Sequence, residues 1–189
     1  ELNGKHSKLL EGLAVEATIS ANTTITEAKA FSVVRTIEDR LVEDGQLASV
    51  HQPKSVLEVL VNTHTLESVS SSGVSFQHQQ FQEWYASHQV ERQMLDACRT
   101  GLSLTDEFAV AVLNNPSWEE AVLFAAERLS RRDDQGVAAV AAAIIPCLEI
   151  DPMCAAALLA SSAGRVWDPG GQRLHSVARR WARPGPVPA

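Results

Sequence analysis

Leu9, Leu10, Leu13, Ala14 and Ala17 recur at helical spacing and predict a helix from about His6 to Ile19. The polar break Ala21-Asn22-Thr23-Thr24 follows, and Thr24 precedes Glu27 by three residues, the spacing of a capping box. A second helix then runs to about Glu43, with Ala30, Val33, Val34, Ile37 and Leu41 as its apolar stripe. Gly45 is placed to end it in a left-handed cap. Pro53 suits a helix start, and Val56, Leu57, Leu60 and Val61 form the inner face of a short third helix. Beyond Thr63 the period changes. Thr65 to Val69, the turn formers Ser70 to Gly73, and Val74-Ser75-Phe76 read as a two-stranded hairpin. Three helices followed by a hairpin is the order of a winged helix, predicted here over residues 1–77.

The remaining pattern is helical. One helix runs from Gln79 toward Cys98 and Arg99, and after Gly101 another starts at Ser103 or Thr105 and covers Phe108 to Leu113. Asn114-Asn115-Pro116-Ser117 reads as a turn with Ser117 as N-cap and Glu119 and Glu120 in the favoured first turn. Trp118, Val122, Leu123, Ala125, Ala126 and Leu129 are the packing residues of that helix. Asp134 to Leu148 supplies the next, and Asp151-Pro152 starts one ending near Ala163. Pro169-Gly170-Gly171 separates a last helix, from about Gln172 to Trp181. The predicted class is therefore mostly α. A winged helix, with three helices and a two-stranded wing, is followed over residues 78–182 by a HEAT-like α-helical repeat or an irregular helical bundle. Residues 183–189 form a loose tail.

Composition narrows the function classes. A chain of 189 residues with 45% hydrophobic content can bury a sizeable core. It begins at Glu1 rather than Met, which suggests a piece of a longer protein. The longest apolar stretch, Val137 to Leu148, is Ala-rich and broken by Pro146, well short of the roughly 18 residues a membrane span needs. With no signal-peptide pattern either, a cytoplasmic location without membrane contact is expected. Cys98, Cys147 and Cys154 are an odd number without C-x-x-C spacing, so reduced thiols are expected, neither a disulfide framework nor a zinc site. A net charge of −7 opposes nucleic-acid binding. Arg165, Arg173, Arg179, Arg180 and Arg183 nonetheless cluster against Asp168 alone, either as a docking patch or as a solvated last helix.

The candidate chemistry lies in Val74-Ser75-Phe76-Gln77-His78-Gln79-Gln80-Phe81-Gln82-Glu83-Trp84-Tyr85-Ala86. A strand runs straight into a helix with His78 at the seam. There the free N–H groups and the helix dipole favour an anion, to which an imidazole can donate. The plain alternative is that Phe76, Phe81, Trp84 and Tyr85 are core and His78 a structural side chain. His6, His51, His64, His88 and His175 make no pair at metal-binding helical spacing with a carboxylate, so no metal site is expected.

The F-x-H-x-x-F-Q-E-aromatic-aromatic-A wording resembles the segment that closes the winged-helix module of NACHT-type STAND NTPases, the bacterial relatives of NOD-like receptors. Leu113-Asn114-Asn115-Pro116-Ser117-Trp118-Glu119-Glu120-Ala121-Val122-Leu123-Phe124-Ala125-Ala126 is similar to the D/N-P-x-W-x-E-x-x-L-x-x-A segment found downstream in that family, here about 40 residues after His78. The resemblance covers roughly residues 55 to 130 in detail and the rest in layout only. It implies that His78 contacts the β-phosphate of ADP in the intact protein and helps hold a closed state. Phe76, Phe81, Glu83 and Trp118 then support the motif by packing and orientation. It also implies signalling or antiviral defence, ATP or ADP with Mg²⁺ in the parent, and partnership with the protein's own NTPase domain. A protein ligand or self-assembly through the helical region would be the further partner. The departure is the motor. No G-x-x-x-x-G-K-[ST] occurs, and no apolar strand ends in paired acids, so this chain is expected neither to hydrolyse ATP nor to bind nucleotide appreciably alone.

Three other functions compete. A DNA-binding regulator would use Pro53 to Asn62 as recognition helix, but that segment offers only Lys54 beside Glu58, and the wing carries Glu67 with no Arg or Lys. A stand-alone helical scaffold that binds protein is compatible with the pattern. A hydrolase pairing His78 with Glu83 or Ser75 lacks a nucleophile elbow and an Asp to orient the His.

Overall fold

The computed structural model describes residues 4–69, 73–100, 108–167 and 175–176. It is mostly helical with one small antiparallel sheet. The chain divides into two units between Gln89 and Val90. The boundary predicted from the end of strand periodicity, at 77, lies twelve residues earlier. Among the described residues no helix is long and apolar enough to cross a membrane.

In the first unit α1 spans His6–Ile19, α2 Glu27–Glu43 and α3 Pro53–Asn62, close to their predicted limits. Leu9, Leu10, Leu13, Ala14 and Ala17 on α1, Ala30, Val34 and Leu41 on α2, and Val56, Leu57 and Leu60 on α3 are all buried, with α2 packed against both α1 and α3. Pro53 sits in the first turn of α3, where its missing N–H leaves no acceptor wanting. Gly45 takes φ +67° just past α2; its N–H bonds the Val42 carbonyl and that of Gln46 bonds Leu41, closing the last carbonyls as the sequence predicts.

The sheet departs from expectation. Strands β2 (Leu66–Val69) and β3 (Gly73–Phe76) form the predicted hairpin, but a third strand, β1 (Thr24–Thr26), pairs antiparallel with β3 from the other side, giving the order β1-β3-β2. Thr24 is therefore a strand residue opposite Ser75, not the cap of α2; Thr26 holds that position with extended backbone and no side-chain cap bond. Ile25, opposite Val74, supplies the reason, because both side chains are buried and the pairing adds apolar contact to the core.

In the second unit α4, Gln79–Thr100, continues past the boundary, and residues 101–107 lie outside the described set, along with the predicted helix start there. Ala109–Leu113 forms a π-helical turn rather than an α-helix. Pro116–Trp118 is a 3₁₀ turn capped by the Asn115 side chain, which accepts from the Ser117 N–H at 3.0 Å. Ser117 is thus the capped residue, not the cap. Helices α5 (Glu119–Arg132), α6 (Asp134–Ile150) and α7 (Pro152–Ser161) then pack on one another. Pro146 does not break α6, which continues to Ile150; burial of Ile144, Cys147 and Leu148 around it offsets the lost backbone bond. Asp133 alone separates α5 from α6, and Asp151 caps α7 by accepting from the Met153 N–H at 2.8 Å. The last predicted helix and the tail lie almost wholly outside the described residues. Of the Arg cluster only Arg165 is described, and it pairs with Asp134.

Candidate functional site

The seam around His78 is built from β3 outward. Val74, Ser75 and Phe76 are all buried, the strand being covered on both faces. The Gln77 N–H bonds the Thr65 carbonyl at 3.1 Å and ends the β2–β3 ladder. His78 follows in a bend, and α4 begins at the next residue. Its carbonyl accepts the Phe81 N–H at 3.0 Å, closing the first helical turn over the junction.

His78 itself is exposed. Its ring meets Phe81 edge-on, with centroids 5.4 Å apart. Phe81 is 40% exposed, so it braces the imidazole rather than filling the core. Phe76 is buried and lies 6.3 Å from Tyr85, whose hydroxyl is pushed up from its ordinary pKa by burial and by the nearby Glu11 carboxylate. Glu83 is half-buried and accepts from Gln79 Nε2 at 2.7 Å, a bond between successive turns of α4. Gln82 Nε2 reaches Thr18 Oγ1 at 3.3 Å and ties this end of α4 to α1. Trp84 stacks edge-on against both Tyr85, at 4.9 Å, and His88, at 4.6 Å.

The predicted residues thus separate by role. Phe76 anchors, Phe81 braces and Glu83 bonds within its own helix, all in the first unit. Trp118 belongs to the second unit, 3% exposed beneath the turn that opens α5. A helix start leaves N–H groups that intrahelical bonds do not satisfy, and the exposed His78 immediately precedes α4 in the chain. This arrangement can offer hydrogen bonds to an anion. Ser75, the serine the hydrolase reading would use, is buried and donates to Glu67 Oε1 at 2.9 Å.

Two features escaped the sequence reading. A groove of about 420 Å³ runs between α2, α3 and the hairpin, lined by Phe31, Lys54, Leu57, Glu58, Val69 and Val74 among others. His78 does not line it. The second is Glu38, fully buried on the inner face of α2 and bonded to His51. A carboxylate between Val34 and Leu41 on an apolar stripe is the signal that would have flagged it. Among the described residues no group of three His, Cys, Asp or Glu side chains could hold a metal. No protein-family model, curated protein or solved structure matches the chain.

Proposed function

We propose that this chain is a regulatory fragment of a nucleotide-switched STAND NTPase of the NACHT type, acting in signalling or antiviral defence. Its first unit is read as a winged helix, since helix, short strand, two helices and a hairpin follow one another with β1 beside β3. Its second unit is read as the start of a helical repeat region or an irregular bundle that controls assembly. The observation carrying the proposal is His78, exposed at a strand-to-helix junction whose flanking Phe76 is anchored in the core.

In the intact protein the switch works by differential contact. With ADP bound, His78 donates to the phosphate and ties the winged helix to the nucleotide domain. Exchange for ATP, together with a sensed ligand, releases it and permits assembly. Loss of one charge-assisted contact is worth roughly 1.5–3 kcal/mol, or about ten- to a hundredfold in the equilibrium. The test is His78→Ala in the intact parent, measured as ADP dissociation. Faster ADP loss with raised basal signalling is expected, while the same change in this chain leaves its melting temperature unaltered because the side chain is exposed. Unchanged ADP retention would overturn the reading.

A further inference from the structure

The second unit brings two of the three cysteines together. Cys147 lies in the last turn of α6 and is 1% exposed, whereas Cys154 lies half-buried in the first turn of α7. Their sulfurs are 3.9 Å apart and share an S–H···S hydrogen bond. Cys154 also borders a cavity of about 120 Å³, together with Leu113, Asn115, Glu119, Val122 and Asp151. A water molecule occupies about 30 Å³ of liquid, so the cavity admits a reagent of a few heavy atoms.

We propose that Cys154 and Cys147 form a peroxide-reactive thiol pair, in which Cys154 is oxidised from the cavity and Cys147 resolves it to an intramolecular disulfide. The reagent class is a small hydroperoxide. In the first step the Cys154 sulfur attacks the near oxygen of the hydroperoxide and the O–O bond breaks. The departing alkoxide or hydroxide takes up the proton the thiol gave, and Cys154 becomes a sulfenic acid, oxidised by two electrons. The Cys147 sulfur then attacks the Cys154 sulfur, the S–O bond breaks, and hydroxide leaves with the Cys147 proton as water. Two thiols and one hydroperoxide give one disulfide, one alcohol (or water) and one water.

The order of the steps follows from the surroundings. The deeper thiol keeps its proton: the hydrogen bond with Cys154 and burial both push Cys147 upward. The Cys154 thiol donates in that bond; once it ionises, the Cys147 S–H can donate in return, which lowers Cys154 from its ordinary value against burial and the carboxylates of Asp151 and Glu119. The start of α7 adds the favourable end of a helix dipole. For the disulfide the sulfurs must close from 3.9 Å to about 2 Å. Cys154 has the cavity beside it in which to turn. The product would staple the end of α6 to the start of α7 across Asp151.

The test treats the intact chain with graded hydrogen peroxide, blocks remaining thiols with iodoacetamide under denaturing conditions, and cleaves with a Glu-specific protease. Glu149 lies between the two cysteines, so their peptides stay joined only if the disulfide has formed. Joined peptides are expected at a peroxide dose about tenfold below that which oxidises Cys98, the third thiol. In Cys147→Ser, with its fold checked by circular dichroism, Cys154 stops at the sulfenic acid and takes up dimedone. Oxidation of Cys98 while Cys147 and Cys154 are still recovered as alkylated thiols would overturn the proposal, as would a disulfide joining Cys154 to Cys98. The peptide mapping of the unaltered chain decides the matter even if the variant misfolds.

Discussion

Glu38, on the inner face of α2 with no exposed side-chain surface, accepts both the His51 backbone N–H, at 3.1 Å, and a hydrogen bond with His51 Nδ1, at 2.7 Å. One buried carboxylate thereby pins the connection between α2 and α3. Its two oxygens are divided between backbone and ring, so the bonds fix the height and the direction of the loop together. Replacing Glu38 with Ala leaves the His51 N–H without its acceptor and should cost roughly 1.5–3 kcal/mol in urea unfolding. His51→Ala, which keeps the backbone bond, should cost less. Equal losses in the two variants would show that the ring, not the backbone bond, carries the pin.

The aromatic residues of the F-x-H-x-x-F segment should separate sharply by truncation. Phe76 is 7% exposed at the end of β3, and Phe76→Ala should cost roughly 3–5 kcal/mol. Phe81 is 40% exposed, and Phe81→Ala should change the stability of this chain by about 0.5 kcal/mol or less. Denaturant midpoints of the two variants check this. A large loss at Phe81 would make it core and weaken its assignment as a brace for His78.

Much of the first unit was legible because its helices are bounded by side chains acting locally. Pro53 at the start of α3 and Gly45 past α2 do their work within a turn of where they stand. Strand β1 was not legible, because three residues carry no period of their own and Asn22 and Thr24 look like cap formers. The Asn22 side chain does accept the Thr24 N–H, at 3.1 Å, but as a turn leading into the strand. What makes Thr24–Thr26 a strand is β3, some fifty residues further on. The seam at His78 could be placed from the change of period on either side of it. The exposure of its ring and of Phe81 could not, since both depend on how α1 and the sheet meet α4. Cys147 and Cys154 looked inert by spacing, and only the single-residue turn at Asp151 brings their sulfurs together.

Gly73 is where β1 is tested. It sits opposite Thr26, and a Cβ there would fall 2.2 Å from the Ile25 carbonyl oxygen, a backbone atom that cannot swing aside. Gly73→Ala should therefore push β1 off β3 at a cost of roughly 1–3 kcal/mol. Hydrogen exchange at the amides of 24–26 should accelerate more than exchange at those of 66–69. Uniform acceleration through the unit would mean that β1 has no separate hold on β3.

Asp133 is the only residue between α5 and α6, and it caps the second helix: Oδ1 accepts the Gly136 N–H at 2.6 Å and Oδ2 meets Arg132 Nε at 3.0 Å. The bond from Gly136, then that from Arg132, hold its carboxyl below the usual value of 3.8. A group whose folded pKa is depressed stabilises the fold above its unfolded pKa and loses that contribution as pH falls through the folded one. Asp133→Ala should lower the melting temperature at pH 7, and the gap from the unaltered chain should narrow once pH drops below about 3.8. Asp133→Asn keeps a cap acceptor and should retain most of the stability at pH 7 while losing this share of the acid dependence. A gap that stays constant on acidification would show that the carboxylate's charge contributes nothing to the cap.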